Sequence, residues 1–375
     1  MPYMQWEDLL MITVEQTFSP PSTYPLERIG QEDRLLFFDI ETTGFSPASS
    51  SLYLIGCTYR NKDAWNLIQW FADSREAEKE VLLAFSSFIK SFDTLVHFNG
   101  DGFDIPYLTK RYTLYHLPSP FEQIRSFDIY KKIRPYKKLL GLDSLKQKAI
   151  ESFLGIHRTD QYSGGQLIDV YHEYLINHDS MLYHLLMLHN EEDLKGMPFI
   201  LPILLYPDFL NSRFLPESHQ FAAEGLFLIL QCRSNISIPT SIAWEHPTLT
   251  GVSLEGEGSR ISIRIPVFEG ELKYFYPDYK NYYYLIYEDT AIHKSVGEFV
   301  DRCARKQATS STCYSRKTGR FLPQAEPVLS PVFRRQYRDK CLYCELPSSL
   351  SDCSQMADYT NSLIATSLPS VRSPF

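Results

Sequence analysis

The chain has 375 residues, 44% of them hydrophobic, and its formal net charge is −8 at pH 7. This length allows two domains and a sizeable core, and the lack of an apolar run of 18 residues excludes a transmembrane helix. Because the seven cysteines are scattered and odd in number, and the start lacks a signal-peptide pattern, we expect a cytoplasmic protein with free thiols and no membrane association.

Prolines and shifts in composition predict four parts along the chain. Residues 1–30 form an N-terminal arm, whose second half is made extended or irregular by Pro20, Pro21 and Pro25. An α/β domain follows over residues 31–205, then a smaller, Tyr-rich and basic α+β region over 206–345, and a Ser-rich mobile tail over 346–375.

The α/β domain begins with three β-like runs, at 35–39, 51–59 and 65–71, which we predict to form a meander. An amphipathic helix follows near 75–91, then a strand at 94–98, and after that mostly helices. This order of elements predicts a mixed sheet flanked by helices.

Two acidic side chains end the first of these strands. Asp39 and Glu41 follow the apolar run 35–38, and residues two apart in a strand point to the same face. Two carboxylates side by side on a core strand are costly unless a cation lies between them, and oxygen ligands suit a hard ion such as Mg²⁺ or Mn²⁺. The pair indicates metal-assisted phosphoryl chemistry, and a solvated strand end is the alternative.

A third carboxylate follows the strand at 94–98. Asn99 leads into a Gly-containing turn, and Phe103 and Asp104 come next, where apolar residues take up helical spacing. Asp104 is therefore expected near the start of a helix that is entered directly from a strand. Asn99 could bond either a substrate sugar or the backbone of the turn.

A late helix carries the last polar pair. Apolar residues over 185–197 have helical spacing, and His189 and Asp193 lie one turn apart on the same face. A lone His–Asp pair on a helix can be structural, and it gains weight here because it follows the other two motifs in order.

These three motifs in this order resemble the DEDD 3′–5′ exonucleases of the ribonuclease H-like superfamily. The segments SFDIYKKIRPY (126–136) and 142–175 make the resemblance closest to the YprB-type ribonuclease H-like proteins of bacteria, over about residues 33–205. The resemblance implies a ribonuclease H-like mixed sheet, hydrolysis of phosphodiester bonds in DNA or RNA, and a site for two ions of Mg²⁺ or Mn²⁺.

By position, the resemblance also implies the site residues: Asp39, Glu41, Asp104 and Asp193 as metal ligands, His189 as the residue that orients or deprotonates the attacking water, and Thr42, Asn99 and Phe103 as substrate contacts. This chain departs from the family pattern in one respect. His189 stands four residues before Asp193, at the position where the Tyr-type branch has a tyrosine. In the His-type branch the histidine stands five residues before the last Asp. An imidazole can act as a general base, but its reach from this register differs. Asp128 is a further carboxylate, for which we favour a structural role.

The C-terminal region is basic although the chain as a whole is acidic. Residues 291–340 hold 11 basic and four acidic side chains, a net charge of +7, next to a tyrosine-rich run at 271–289. Cations neutralise phosphates and tyrosines stack on unpaired bases, so we predict that single-stranded DNA or RNA binds here, with Arg316, Lys317 and Arg320 on its phosphates. A solvated basic surface and tyrosines that pack between strands are the alternatives.

Three smaller predictions concern the same region. Alternating isoleucines predict a strand at 258–268, and Asp289 or Thr290 could cap a helix over 291–306. Cys341 and Cys344 form a C-x-x-C pair, but zinc needs four ligands and no second matched pair follows, so metal binding by this pair stays open.

Two classes of function remain. The complete set of carboxylates favours a metal-dependent 3′–5′ exonuclease, because a degenerate site usually lacks one of them. The alternative is a non-catalytic nucleic-acid-binding or interaction protein on the same fold. A strand-transfer enzyme is disfavoured by the turn from Asn99 to Asp104 and by the helix that carries His189, and the sequence identifies no protein partner.

Overall fold

The computed structural model describes residues 11–19, 24–61, 64–156, 164–347 and 353–369. The chain divides into two compact units, Met1–Pro207 and Asp208–Phe375. Residues 1–10 and 20–23 of the predicted arm, and 348–352 and 370–375 of the predicted tail, lie outside the described residues. No helix in the described ranges combines the length and the apolar character that crossing a bilayer requires.

Six strands form a mixed sheet in the first unit: β1 (Met11–Phe18), β2 (Leu35–Thr42), β3 (Leu52–Asn61), β4 (Ala64–Ala72), β5 (Thr94–His97) and β6 (Arg125–Asp128). Their order in the sheet is β1-β4-β3-β2-β5-β6. The antiparallel strands β2, β3 and β4 confirm the predicted meander, and β5 and β6 extend it in parallel.

The first strand lies in residues that we predicted as an arm. β1 pairs antiparallel with β4, from Met11 opposite Ala72 to Phe18 opposite Trp65. Its side chains alternate between half-buried and exposed over most of its length, as expected for an edge strand with one covered face. This weak alternation is why the sequence did not identify it.

Helices flank this sheet: α1 (Glu78–Phe88), α2 (Asp104–Leu114), α3 (Ile129–Ile133), α4 (Gln147–Phe153), α5 (Gly164–Asn177) and α6 (Ser180–Ile200). A short helix, α7 (Leu205–Leu210), includes the end of the first unit and the start of the second. α1 and α6 confirm the helices predicted near 75–91 and 185–197. Aromatic stacking connects the layers, since Phe38 packs on Phe85 of α1 (ring centroids 5.8 Å) and Tyr53 on Tyr171 of α5 (4.3 Å).

The second unit is rich in strands: β7 (Leu215–Ala222), β8 (Phe227–Arg233), β9 (Ile242–Glu245), β10 (Ser253–Glu257), β11 (Arg260–Pro266), β12 (Phe268–Phe275), β13 (Tyr282–Leu285), β14 (Thr290–His293), β15 (Arg305–Gln307), β16 (Tyr314–Gln324), β17 (Val332–Arg334) and β18 (Leu342–Glu345). A five-stranded sheet has the order β7-β8-β11-β10-β9, β12-β16-β18-β17 close a barrel, and β14-β13-β15 form a third sheet. β11 confirms the strand predicted at 258–268.

The helix predicted over 291–306 is wrong. β14, the single-turn helix α8 (Lys294–Gly297) and β15 occupy this segment instead. Asp289 caps no helix, because its φ is +52° and its carboxylate accepts hydrogen bonds from the hydroxyls of Tyr284 and Tyr314. Hydrogen bonds from these two tyrosines thus override the local capping signal.

The prediction of a mobile tail is wrong for residues 353–367. They form the helix α9 (Cys353–Ser367), in which Met356, Tyr359 and Leu363 are buried. The Tyr359 hydroxyl donates to the Pro323 carbonyl at 2.7 Å. The helical spacing of these apolar residues outweighs the high serine content from which the tail was predicted.

Cys341 and Cys344 are free thiols next to and within β18. Cys344 is buried and its Sγ lies 3.7 Å from the Leu322 carbonyl oxygen. Among the described residues, no cluster of three metal-binding side chains includes a cysteine.

Candidate active site

β2 positions the first two carboxylates. Its residues from Leu35 to Phe38 are buried, and its pairing with β3 shifts register between Glu41 and Thr42. Asp39 and Glu41 share one face of the strand because they are two residues apart. Glu41 is buried and Asp39 is half-buried, so both carboxylates are held where a core strand ends in a bulge.

Asp104 is the first residue of α2, as the sequence predicts. Burial raises the pKa of its carboxyl group to about 7, and the negative charges of Asp128 and Asp193 act in the same direction. The backbone N–H groups of Ile40 and of Asp104 itself donate hydrogen bonds to this carboxylate and lower the pKa in part. The bond from Ile40 connects the start of α2 directly to β2.

α6 contributes a histidine and a fourth carboxylate. His189 Nε2 lies 3.8 Å from Glu41 Oε1 and 3.5 Å from Asp193 Oδ2. One potential ligand atom from each of these three residues lies within 4.8 Å of the other two. His189 is buried and Asp193 half-buried, so α6 and β2 together enclose this cluster.

Asp39 is close enough to the other carboxylates to respond to their charges. Its pKa is well above the usual range, first because of burial and then because of the negative charges of Asp104, Glu41 and Asp193. Asn190 Nδ2 donates a 3.0 Å hydrogen bond to Asp39 Oδ2, which lowers the pKa only in part. The four carboxylates that the sequence singled out therefore lie together at one end of the sheet.

The chemistry of this set suits a hard divalent cation. Carboxylate oxygens are the ligands that Mg²⁺ and Mn²⁺ prefer, and a cation would offset the burial and the repulsion that raise the pKa of Asp39 and Asp104. Asp39, Glu41, Asp104 and Asp193 are the residues that could hold such ions.

The sequence did not reveal the amide network behind Asp39. Asn190 is fully buried, and its Oδ1 accepts a 2.9 Å hydrogen bond from Gln69 Nε2 of β4. Gly56 of β3 makes room for it, since a Cβ there would lie 2.1 Å from Asn190 Oδ1 and 2.3 Å from Leu194 Cδ1. The available signal was Gln69, the one polar residue of the run 67–72, which had to find a buried partner.

Asn99 occupies the turn between β5 and α2. Its φ is +64°, and its backbone N–H donates to Asp128 Oδ1 at 3.0 Å. Asp128 also accepts from the Lys131 N–H at the start of α3 (3.3 Å), which matches the structural role we favoured for it. A Cβ on Gly102 would lie 2.9 Å from Asn99 Oδ1, so the Asn99 side chain lies against its own turn.

A second cluster, His97, Asp101 and Asp128, adjoins this turn. Burial lowers the pKa of His97, and its Nδ1 accepts a 3.0 Å hydrogen bond from the Gly100 N–H while the other ring nitrogen lies 2.8 Å from a serine hydroxyl on β6. Lys131 Nζ lies 2.7 Å from Asp101 Oδ2. A neutral histidine with protein partners on both nitrogens, beside a lysine, supports the turn rather than a metal ion.

Two aromatic rings contact each other where α2 begins, and one of them, Phe103, directly precedes Asp104. Phe103, a predicted substrate contact, is half-buried, and Phe45 is 87% exposed with its ring centroid 5.9 Å from that of Phe103. Thr42, also predicted to contact substrate, donates from Oγ1 to the Gly44 carbonyl at 3.0 Å. Phe45 was missed, although a bulky apolar residue in a short Gly- and Pro-containing loop after D-x-E was a usable signal.

The three predicted phosphate-binding cations lie on β16 of the second unit. Arg316 and Arg320 share one face of this strand and Lys317 points to the other. Arg316 and Arg320 donate to backbone carbonyls at 2.9 and 2.5 Å, and Lys317 Nζ lies 2.5 Å from Glu345 Oε2. The structure therefore places these cations on one strand without forming a single cluster.

Comparison with known proteins agrees with the fold of the first unit. Residues 36–204 match the family model RNase_H_2, described as RNase_H superfamily, and this confirms the predicted ribonuclease H-like sheet flanked by helices. No curated protein matches the chain.

Two solved structures are similar over part of the chain. The family B DNA polymerase from the hyperthermophilic archaeon Pyrobaculum calidifontis is 17% identical with a TM-score of 0.38, over 47% of this chain and 25% of that one. The structure titled ExoI/SSB-Ct complex is 14% identical with a TM-score of 0.28, over 60% of this chain and 55% of that one. The chain spans about a quarter and about half of their lengths, and with both TM-scores below 0.5 these likenesses carry no weight for function.

Proposed function

We propose that the chain is a metal-dependent nuclease, and specifically a 3′–5′ exonuclease that hydrolyses phosphodiester bonds of DNA or RNA. The observation that carries this proposal is the meeting of Asp39, Glu41, Asp104 and Asp193 within the segment that matches the RNase_H superfamily model. Burial and the neighbouring negative charges raise the pKa of Asp39 and Asp104. Such an arrangement opposes folding, so the meeting of these carboxylates supports a functional role.

The proposal includes two divalent cations, Mg²⁺ or Mn²⁺, held by these four carboxylates. When bound, such ions stabilise the charge that develops on the attacking and leaving oxygens of a phosphodiester. The chain itself fixes the ligands: Asp39 by the Asn190 amide, and Asp104 by the Ile40 N–H. A ligand set held in place before binding loses little entropy when the site fills.

We assign to His189 the role of accepting a proton from the attacking water. Its Nε2 lies within 4 Å of carboxylate oxygens of both Glu41 and Asp193, which would stabilise the charge that the ring gains. His189 and Asp193 are one turn apart on α6, so the ring and the carboxylate face the same side.

We propose that the terminal base of a single strand stacks on Phe45 beside Phe103. Phe45 exposes a large apolar ring in contact with that of Phe103, which directly precedes Asp104, and stacking on an aromatic ring contributes about 1–3 kcal/mol per base whatever the base. A base in a duplex is already stacked, so this arrangement favours a single-stranded end.

The second unit is proposed to hold the strand through its phosphates. Arg316 and Lys317 are exposed, and exposed ion pairs contribute little, so phosphates can replace their present partners. Arg320 is half-buried and bonded to a carbonyl, so it is expected to contribute least of the three.

Two finer assignments belong to the same proposal. The intervening segments between the motifs support a YprB-type protein, over the part of the chain that the family model covers. Six of the seven cysteines are shown to be free, which supports a reducing compartment such as the cytoplasm.

End-labelled single-stranded DNA and RNA, each with Mg²⁺ or Mn²⁺, test the activity. We expect a 5′-labelled strand to give a descending ladder and a 3′-labelled strand to give a labelled mononucleotide at once, with EDTA abolishing both. Binding without cleavage of either strand by either metal would instead identify a non-catalytic nucleic-acid-binding protein.

A further inference from the structure

The loop between β2 and β3, residues 43–51, carries Phe45, whereas Phe103 immediately precedes α2. Contact between the two rings therefore depends on how the loop is held against the helix. Ser50 Oγ lies 2.9 Å from the Tyr107 hydroxyl of α2 and 3.0 Å from the Gly44 carbonyl. These bonds join the two sides of the loop near α2.

Arg111, buried on α2, connects the loop to a second helix. Its Nη1 donates to the Pro47 carbonyl of the loop at 2.8 Å, and its Nε donates to Glu78 Oε1 at 2.5 Å. Its Nη2 donates to the other carboxylate oxygen of Glu78. Glu78 is 1% exposed and also accepts a 3.1 Å bond from the Leu52 N–H, where the loop enters β3. One buried ion pair thus contacts both the middle and the end of this loop.

Stability alone is a poor explanation for this ion pair. Burying two charges costs desolvation that their attraction only partly returns, and apolar residues of the same volume often stabilise as well. The bond to Pro47, however, needs a planar guanidinium with donors left over after a two-oxygen contact with Glu78. The arrangement therefore holds the loop in a way that neither an apolar pair nor a lysine could.

We propose that Arg111, with Glu78, is a positioning residue that holds the β2–β3 loop so that Phe45 lies beside Phe103 and receives the terminal base. This inference rests on the proposed function, because the base that stacks is the 3′-terminal base of the strand to be cleaved. Arg111 contacts the loop and not the substrate, so its effect on substrate is transmitted through Phe45.

The test uses Arg111→Lys in the full chain, with Arg34→Lys as the matched control. Arg34 donates Nε and Nη2 to Asp93 and Nη1 to the Ser91 carbonyl, the same three-bond pattern directly before β2. Lysine keeps the charge in both variants but cannot make all three bonds. The double variant Glu78→Gln/Arg111→Gln removes both buried charges. It replaces Arg111→Lys in the same measurements if Arg111→Lys fails to fold.

Hydrogen exchange measures the loop directly and needs no activity. Loss of one bond from a charged donor is expected to speed exchange of the 43–51 amides roughly tenfold in Arg111→Lys. The Thr43 N–H, which donates to the Ser51 carbonyl at 2.9 Å, is the most informative site. Arg34→Lys should leave this segment unchanged. Unchanged exchange of the loop in Arg111→Lys would overturn the inference.

Anisotropy without metal then measures the effect on the terminal base. Two single strands are compared that differ only in whether the 3′-terminal nucleotide has its base. We expect the parent and Arg34→Lys to prefer the base-bearing strand by about 5-fold to 100-fold. Arg111→Lys, the double variant and Phe45→Ala should lose this ratio while binding the abasic strand as the parent does.

Failure of the proposed nuclease activity and failure of the positioning role of Arg111 give different results. A parent that shows the binding ratio but cleaves no strand refutes the proposed activity and leaves the positioning role intact. A parent that cleaves, with a binding ratio that Arg111→Lys keeps or that the parent lacks, refutes the positioning role alone.

Discussion

Charged side chains gather in both units, but their neighbours differ. In the first unit, Asp39 and Asp104 face other carboxylates, and the pKa of each is raised. On β16 of the second unit, Arg316 and Lys317 face opposite charges, with Lys317 Nζ 2.5 Å from Glu345 Oε2. Like charges held together oppose folding, whereas exposed ion pairs contribute little. The first arrangement needs a functional reason and the second does not.

Several tyrosines of the second unit already have partners within it, although Tyr287 is 77% exposed. Tyr276 stacks on Tyr282 at a centroid distance of 4.7 Å, and the Arg305 guanidinium lies 4.5 Å from the Tyr283 ring centroid. Phe45 in the first unit is by contrast 87% exposed. Residues that already contact one another must exchange partners before they bind a base, so local pairing is a better guide to function than a local net charge of +7.

The largest expected effect is on the carboxylates. Asp39→Asn or Asp104→Asn should lower metal-dependent cleavage about 10³-fold or more. Each change removes a ligand of an ion that stabilises the developing charge in the transition state by about several kcal/mol. Neither change should lower the free energy of unfolding of the metal-free protein at about pH 8, because each removes a repelled charge. Cleavage assays and urea titrations measure both, and Asp33→Asn, which alters an exposed carboxylate before β2, is the control. Parent-like turnover in either variant would refute the catalytic assignment.

His189 comes next. His189→Ala should lower the rate about 10²–10⁴-fold and change the low-pH limb of the rate profile, because it removes the proton acceptor. Metal affinity should change little. His184→Ala, an exposed histidine on the same helix, is the matched control. If the rate and the pH profile stay those of the parent, His189 is a packing residue of α6.

Gly56 tests the support behind Asp39. Gly56→Ala places a Cβ within 2.3 Å of Asn190 and Leu194, and overpacking of this kind costs about 1–3 kcal/mol of stability. Moving Asn190 also releases its bond to Asp39 and should lower activity. Gly165→Ala on α5 is the control, because open space surrounds that position. Urea unfolding measures the stability of both variants. Equal unfolding midpoints for Gly56→Ala and Gly165→Ala would show that α6 does not pack tightly against β3 at Gly56.

The smallest effect concerns the cations of β16. Neutralising Arg316, Lys317 and Arg320 should reduce the slope of log affinity against log salt by at most about 2 for a single strand, and raise KM more than it lowers kcat. Neutralising Lys79, Lys90 and Lys110, exposed lysines of the first unit, matches the change in charge. If the β16 variant keeps the parent's slope, the second unit does not hold the strand through these residues.

The carboxylate positions were predictable because each depends on local pattern. Asp39 ends an apolar strand, Asp104 follows a strand and a turn, and Asp193 lies one helical turn after His189. Local periodicity determines where such residues fall, and the order of elements brings them to one end of the sheet.

The rest of the site depends on contacts between distant parts of the chain. Gln69 bonds to Asn190 across 121 positions, and the exposure of Phe45 depends on a loop held by Arg111. No local pattern contains these partners. The same limit explains part of the outcome at Asp289, which accepts a hydrogen bond from Tyr314, 25 positions away, as well as one from nearby Tyr284.

The raised pKa of Asp104 makes the metal site measurable through protons. Its folded pKa is about 7 and its ordinary value 3.8, so between these values the folded protein holds a proton that the unfolded chain releases. The free energy of unfolding of the metal-free protein should therefore fall as pH rises through this window, by at most about 1.4 kcal/mol per pH unit for this group. A cation that binds the carboxylate must displace the same proton.

Calorimetric titration with Mn²⁺ at about pH 6, in two buffers of different ionisation heat, tests the site most directly because it counts protons released per ion bound. We predict that the parent binds Mn²⁺ with net proton release, and that Asp104→Asn binds more weakly and releases fewer protons. A parent that binds no Mn²⁺, or an Asp104→Asn variant with the parent's affinity and proton release, would contradict a metal site built on Asp39, Glu41, Asp104 and Asp193.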